Sequence, residues 1–164
     1  MSQYAVAFTG PSNSGKTTLI EKVAKVLIQS KQVAIIKNDP KDKAKFDIEG
    51  KDSYKFSQTG AEVVVTSPTR TTLFSQRQKS LDEIVAMLGS FDILLVEGLK
   101  TLPLPRIAIF RNAIDESYFE CSEAIAIDES VTKEAYEIPK HIDILDLNNT
   151  QAIIEWIENN SKEI

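Results

Sequence analysis

The chain has 164 residues, 42% of them hydrophobic and 26% charged, with a formal net charge of -5 at pH 7. That length suits a single domain, residues 1–164, with a buried core of its own, and the acidic balance argues against a general nucleic-acid binder, which carries a basic face. The single cysteine, Cys121, excludes an intrachain disulfide and a thiolate metal site. Met1-Ser2-Gln3 lacks the basic region of a signal peptide, and no apolar run approaches the roughly twenty residues that span a bilayer. The expectation is a cytoplasmic protein with no membrane partner.

Tyr4 to Thr9 is a short apolar run of strand length. It leads into Gly10-Pro11-Ser12-Asn13-Ser14-Gly15-Lys16-Thr17, which fits the phosphate-loop pattern G-x-x-x-x-G-K-[ST] at every fixed position. Thr17 to Ser30 then carries Leu19, Ile20, Val23, Val26, Leu27 and Ile28 at helical spacing, with Glu21, Lys22 and Lys25 expected to face water. Strand, loop and helix in this order are the context that gives the pattern its meaning. Gly10 and Gly15 permit backbone angles and close approaches that a side chain blocks, so successive N–H groups can turn inward around a phosphate. The helix start adds partial positive charge. Ser12, Asn13, Ser14 and Gly15 line the cradle, and Lys16 reaches the β- and γ-phosphates. The Thr17 hydroxyl suits a bridging Mg²⁺, and Thr18 is placed for an α-phosphate.

Val33 to Lys37 reads as a fully apolar strand suited to the interior of a parallel sheet. Residues 38–51 form a long polar loop containing Lys41, Lys43, Lys45 and Lys51, expected at the carboxyl edge of that strand, where ligands of open α/β sheets bind. A short helix over 52–58, capped near Asp52 or Ser53 and stopped by Gly60, precedes a third strand over Ala61 to Thr66. Ser67-Pro68-Thr69-Arg70 turns the chain into a short strand over Thr71 to Ser75. Ser80 caps an amphipathic helix with Leu81, Ile84, Val85 and Leu88 that ends at Gly89. Phe91 to Gly98 is an apolar strand closing on Glu97, the position at which phosphate-loop hydrolases keep a metal-holding carboxylate; Asp92 lies at the wrong end. A Pro-containing loop over 99–105, strands at Ile107 to Phe110 and Ala124 to Asp128, an irregular stretch over 112–121, a last strand near His141 to Leu145 and a closing helix capped by Thr150 complete the chain. His141, the one histidine, reads as a surface or core-edge residue. The predicted fold is α/β, of the P-loop NTPase type, with three α/β/α layers around a mostly parallel central sheet.

The phosphate loop, Gly50-Lys51-Asp52-Ser53 with Gly60-Ala61 after it, Arg70, and Val96-Glu97-Gly98-Leu99-Lys100 together resemble the molybdopterin-guanine dinucleotide biosynthesis protein B family, the molybdenum cofactor guanylation adaptors. The resemblance covers roughly the first two-thirds of the chain. It implies a homodimer that binds GTP, hydrolyses it weakly with Mg²⁺, and assists a nucleotidyltransferase partner in attaching GMP to molybdopterin. By position it gives phosphate contacts to Ser12 through Thr18 and Mg²⁺ to Thr17 and Glu97. Asp47 becomes a candidate for metal or water positioning. Lys51, Asp52, Arg70 and Lys100 become candidates for contacts to nucleotide, pterin or partner. Many family members carry a histidine-rich stretch where this chain has Lys37-Asn38-Asp39-Pro40-Lys41, so imidazole chemistry finds no support here.

No glutamine is clearly placed to orient water, no arginine finger is assignable and no guanine-reading motif of the N-K-x-D type is present, so the preference for GTP rests on the resemblance. The competing readings are a small-metabolite kinase using ATP and a non-catalytic nucleotide-gated scaffold. In the kinase reading Arg70, Arg77, Arg106 or Arg111 clamps the transferring phosphoryl group, and Asp39 or Asp47 accepts the hydroxyl proton.

Overall fold

The computed structural model describes residues 1–164, which divide into two compact units: residues 1–38 with 90–164, and residues 39–89. The larger unit is built on a seven-stranded sheet. Its strands are β1 (Tyr4–Thr9), β2 (Val33–Lys37), β5 (Ile93–Glu97), β6 (Arg106–Phe110), β7 (Ala124–Ile127) and β8 (Asp143–Asp146), in the order β2-β5-β1-β6-β7-β8 and all parallel. A two-residue strand, β9 (Lys162–Glu163), pairs antiparallel with Tyr4 and Ala5 of β1. This is the mostly parallel, nucleotide-hydrolase-like sheet that the sequence predicts.

The alternation of side chains along the strands sorts the core into two faces. Val6, Phe8, Ile93, Leu95, Ile107 and Ile109 meet helix α1 (Lys16–Leu27) through Leu19, Ile20, Val23 and Leu27, and helix α4 (Thr150–Asn160) through Ile153, Ile154, Trp156 and Ile157. Ala108, Phe110, Ile125 and Ile127 point to the other face, where Ile114, Val131 and Ile142 cover them along with Tyr118 and Phe119 of a 3₁₀ turn over Glu116–Cys121. Burying side chains of this size stabilises by about 1.5–3 kcal/mol each, which is why the helices dock with their apolar stripes inward.

Several expectations need correction. β2 is an edge strand, not an interior one: Ile35 stays 48% exposed, and only β5 pairs with it. Val26 and Ile28 of the first helical stretch are exposed, so the packing stripe is narrower than the run of apolar letters. Asn149, not Thr150, caps α4, its side-chain oxygen accepting from the Ala152 N–H at 3.0 Å. The stretch expected to be irregular contains the 3₁₀ turn over Glu116–Cys121.

The smaller unit contains helix α2 (Asp52–Ser57), the antiparallel pair β3 (Val63–Thr66) and β4 (Thr71–Phe74), and helix α3 (Leu81–Leu88). The third predicted strand therefore belongs to a separate two-stranded sheet. Ser67 makes its turn: the hydroxyl accepts from the N–H groups of Thr69 and Arg70, and the Ser67 N–H donates to the Arg70 carbonyl at 2.9 Å. Lys51, not Asp52 or Ser53, occupies the N-cap of α2. α3 starts with a capping box in which the Glu83 N–H donates to the Ser80 hydroxyl at 3.2 Å and the Ser80 N–H donates to the Glu83 carboxylate at 2.8 Å.

Candidate functional site

The phosphate loop runs from the carboxyl end of β1 into α1, at the centre of the sheet. Gly10 has φ 145°, and a Cβ there would meet the Ile109 carbonyl at 2.4 Å, so only glycine lets the loop pass β6 this closely. Gly15 takes the left-handed conformation with φ 96° as the N-cap of α1, with no side chain capping the helix. The first N–H groups of α1 therefore remain available to an anion. The Lys16 ammonium curls back to donate to the carbonyls of Gly10, at 2.6 Å, and Pro11, at 3.1 Å. Ser14 is buried and its hydroxyl has no hydrogen-bond partner. That hydroxyl lies in the same loop as the uncapped N-terminus of α1, whose backbone N–H groups suit a phosphate. Ser12, Asn13, Thr17 and Thr18 stand exposed around it.

Glu97 ends β5, in register with Phe8 of β1 on one side and with Lys37 of β2 on the other. Parallel register thus sets Lys37 against Glu97, and the ammonium donates to the carboxylate at 3.1 Å. Thr17, Lys37 and Glu97 line one groove of about 420 Å³ between α1 and the β2 edge. Burial pulls the Lys16 ammonium below its usual value, Glu97 opposes the shift, and Lys37 and Lys100 add to it. Lysines and a carboxylate from four separate segments therefore share one field.

No group of three or more His, Cys, Asp or Glu side chains is placed to hold a metal by itself. The groove holds the Thr17 hydroxyl and the Glu97 carboxylate, while its second carboxylate, Glu21, is paired with Lys25 at 2.6 Å. That donor set fits Mg²⁺, which takes one or two protein oxygens and fills its shell with phosphate and water.

The turn after Glu97 is held from beneath by Arg106. This guanidinium is fully buried and donates to the carbonyls of Gly98 at 2.6 Å, Leu99 at 2.9 Å and Leu102 at 3.2 Å. Arg106, a candidate phosphoryl clamp in the kinase reading, is instead committed to backbone carbonyls in the interior. Its work is to fix the loop that carries Lys100, whose ammonium lies 3.8 Å from the centre of the Tyr118 ring. Arg111, at the far end of the same strand, brings its guanidinium against Gly15, where a Cβ would stand 3.4 Å from the guanidinium carbon. Asp128, at the end of β7, holds the Arg111 Nε at 3.4 Å and accepts from the Ser130 hydroxyl and N–H. Lys37 and Asp128 gave no signal as site residues in the sequence, because register across parallel strands places them there.

The remaining candidates lie in the smaller unit. The Asp47 carboxylate accepts from the Ser53 hydroxyl at 2.8 Å and from the Ile48 N–H at 2.9 Å. Asp47, Lys51 and Arg70 line one cavity of about 360 Å³, while Asp52 forms the first turn of α2.

A parallel α/β sheet with a phosphate loop on its central strand and an acid ending the adjacent one defines a P-loop NTPase-like nucleotide-binding protein. The model of the family described as molybdopterin guanine dinucleotide synthesis protein B matches residues 5–129, and the chain belongs to that family. It is 34% identical over 162 residues to the molybdopterin-guanine dinucleotide biosynthesis adapter protein of Haemophilus influenzae, covering 94% of this chain and 87% of that one. To the adapter protein of Escherichia coli it is 29% identical, covering 93% of each. The solved structure of Bacillus subtilis MobB superposes with a TM-score of 0.76 at 23% identity, over 97% of this chain and 98% of that one. The hydrogenase maturation factor HypB from Archaeoglobus fulgidus shares the fold, with a TM-score of 0.51 at 17% identity over 96% and 87% of the two chains.

Proposed function

We propose that this protein is a GTP-binding adapter of molybdopterin guanine dinucleotide synthesis. In this role it is a cytoplasmic homodimer that hydrolyses GTP slowly with Mg²⁺ and assists a partner nucleotidyltransferase in attaching GMP to molybdopterin. The observation that carries the reading is the phosphate loop, with Lys16 folded onto the Gly10 carbonyl, set beside Glu97 in the groove lined by Thr17. Family membership and the names of the relatives support the pathway.

The residues divide the work. The backbone from Gly10 to Thr18 and the Lys16 ammonium bind and orient the phosphates, and Arg111 beside Gly15 adds positive charge to the same loop. Thr17 and Glu97 would hold Mg²⁺, which would neutralise the charge of the phosphates. Slow hydrolysis is the part of this reading that the pairing of the groove's acids supports. Its two carboxylates, Glu21 and Glu97, are engaged by Lys25 at 2.6 Å and Lys37 at 3.1 Å. Neither is left as a free base for a water molecule.

The test is a comparison of GTP and ATP, by binding titration and by phosphate release with Mg²⁺. The expected result is tighter binding of GTP, turnover on the order of 0.01 per second or slower, and a further loss of hydrolysis in Glu97→Gln. A phosphorylated small-molecule product formed from ATP at ordinary kinase rates would overturn the reading.

A further inference from the structure

The turn that follows Glu97 is strained and pinned. Gly98 has φ 86° and Leu99 φ 51°, a left-handed conformation that a leucine rarely adopts. It persists because its backbone is fastened on every side. Arg106 donates to the carbonyls of Gly98, Leu99 and Leu102, the Gly98 N–H donates to the Phe8 carbonyl at 2.9 Å, and the Leu102 N–H donates to the Leu99 carbonyl at 3.0 Å. Strain kept in place by its surroundings clusters at functional positions. What this turn presents is Lys100. We propose that Lys100 leaves the Tyr118 ring to bind the terminal phosphate of the nucleotide, and so makes the site prefer a triphosphate over a diphosphate, a role that rests on the phosphate loop binding nucleotide as proposed.

Tyr118 is a weak holder in a fixed place. The Lys100 ammonium lies 3.8 Å from the ring centre, and the ring is set edge-on against Phe110 with centroids 5.7 Å apart. A ring face attracts a cation less strongly than a phosphate does, since the phosphate brings a full opposite charge and accepts hydrogen bonds. Lys100 is exposed and makes no ion pair with a carboxylate. Asp115 is held below its usual value first by the Ser117 hydroxyl and N–H and least by Lys100. The ammonium is therefore free to move on its flexible stem.

Its surroundings make a phosphate the better partner. Lys100 adds to the burial that pulls the Lys16 ammonium down, so the two charges repel, and Glu97 is already engaged by Lys37 at 3.1 Å. Neither Lys16 nor Lys100 has an acid of its own, and a dianionic phosphate set between them relieves the repulsion. Position along the chain says which phosphate it is. Mg²⁺ at Thr17 and Glu97 would mark the β,γ end of the nucleotide, and Lys100 stands one short turn past Glu97. A diphosphate lacks the group that Lys100 would meet there.

The experiment is a calorimetric titration, with Mg²⁺, of GDP and of GTP carrying an imido bridge between its β- and γ-phosphates. It uses the full chain and its Lys100→Ala, Lys100→Arg and Lys16→Ala variants. The expected result is a loss of about tenfold or more in triphosphate affinity in Lys100→Ala, with diphosphate affinity changed less than about twofold. Lys100→Arg should recover most of the loss. Proton NMR of the unmodified protein reads the same step without a substitution: the Lys100 Cε protons, shielded over the Tyr118 ring, move downfield with the triphosphate and stay in place with GDP. Equal losses for the two nucleotides, no loss in Lys100→Ala, or Lys100 protons that stay shielded with the triphosphate bound overturns the proposal. No triphosphate binding by the unmodified protein, or an affinity unchanged in Lys16→Ala, overturns the adapter reading and the proposal together. Binding lost in Lys16→Ala, with the triphosphate preference intact in Lys100→Ala, overturns the proposal alone.

Discussion

Arg106 is the residue on which the order of the loop after Glu97 depends. Burial pulls its guanidinium below the ordinary value, with nearby Cys121 and Glu123 opposing the shift, yet an arginine keeps its charge in proteins. The charge is satisfied by three backbone carbonyls. Arg106→Met keeps most of the volume and leaves those carbonyls without donors, so a loss of about 3 kcal/mol is expected in chemical denaturation. A loss below 0.5 kcal/mol would mean that the loop finds other donors. Lys16 makes a pH prediction. Its free-state pKa lies below the ordinary 10.5, mainly through burial, and bound phosphates favour the charged form and raise it. Affinity for inorganic triphosphate with Mg²⁺ is therefore full below the free-state pKa and falls as pH rises through it, beginning short of 10.5. A flat affinity across that range in a calorimetric series would contradict the assigned contact.

At the scale of elements, local chemistry accounts for the boundaries and non-local register for the site. Ser80 and Glu83 sit three apart before an apolar run, and the capping box forms where that spacing predicts. Ser80→Ala removes the acceptor for the Glu83 N–H and should destabilise α3 by about 1 kcal/mol, read as faster amide exchange over residues 81–88; unchanged protection would show that the cap is idle. The phosphate loop was legible because its fixed residues are contiguous and each performs a local task. The edge position of β2 was not, since an apolar strand has the same composition in the interior and at a rim that α1 partly shelters. The pairing of Lys37 with Glu97 spans sixty positions and exists only because β2 and β5 are neighbours. β9 has two polar residues and no periodicity from which to read it.

For the whole molecule, the candidate residues divide between the two units. The unit with the sheet carries the loop, Glu97, Lys100 and Arg111; the unit spanning residues 39–89 carries Asp47, Lys51 and Arg70. The sequence placed all of them along one chain, but a cavity shared by Asp47, Arg70 and Phe74 required the β3–β4 pair to be formed. The central claim is that the cradle at Gly10 to Thr17 binds the triphosphate through Lys16. It is tested most directly by calorimetric titration of GTP with Mg²⁺ into the unmodified protein and into Lys16→Ala. Saturable binding that falls at least a hundredfold in the variant, with an unchanged melting temperature in the absence of nucleotide, is the predicted result; equal affinity in the two proteins would contradict the account.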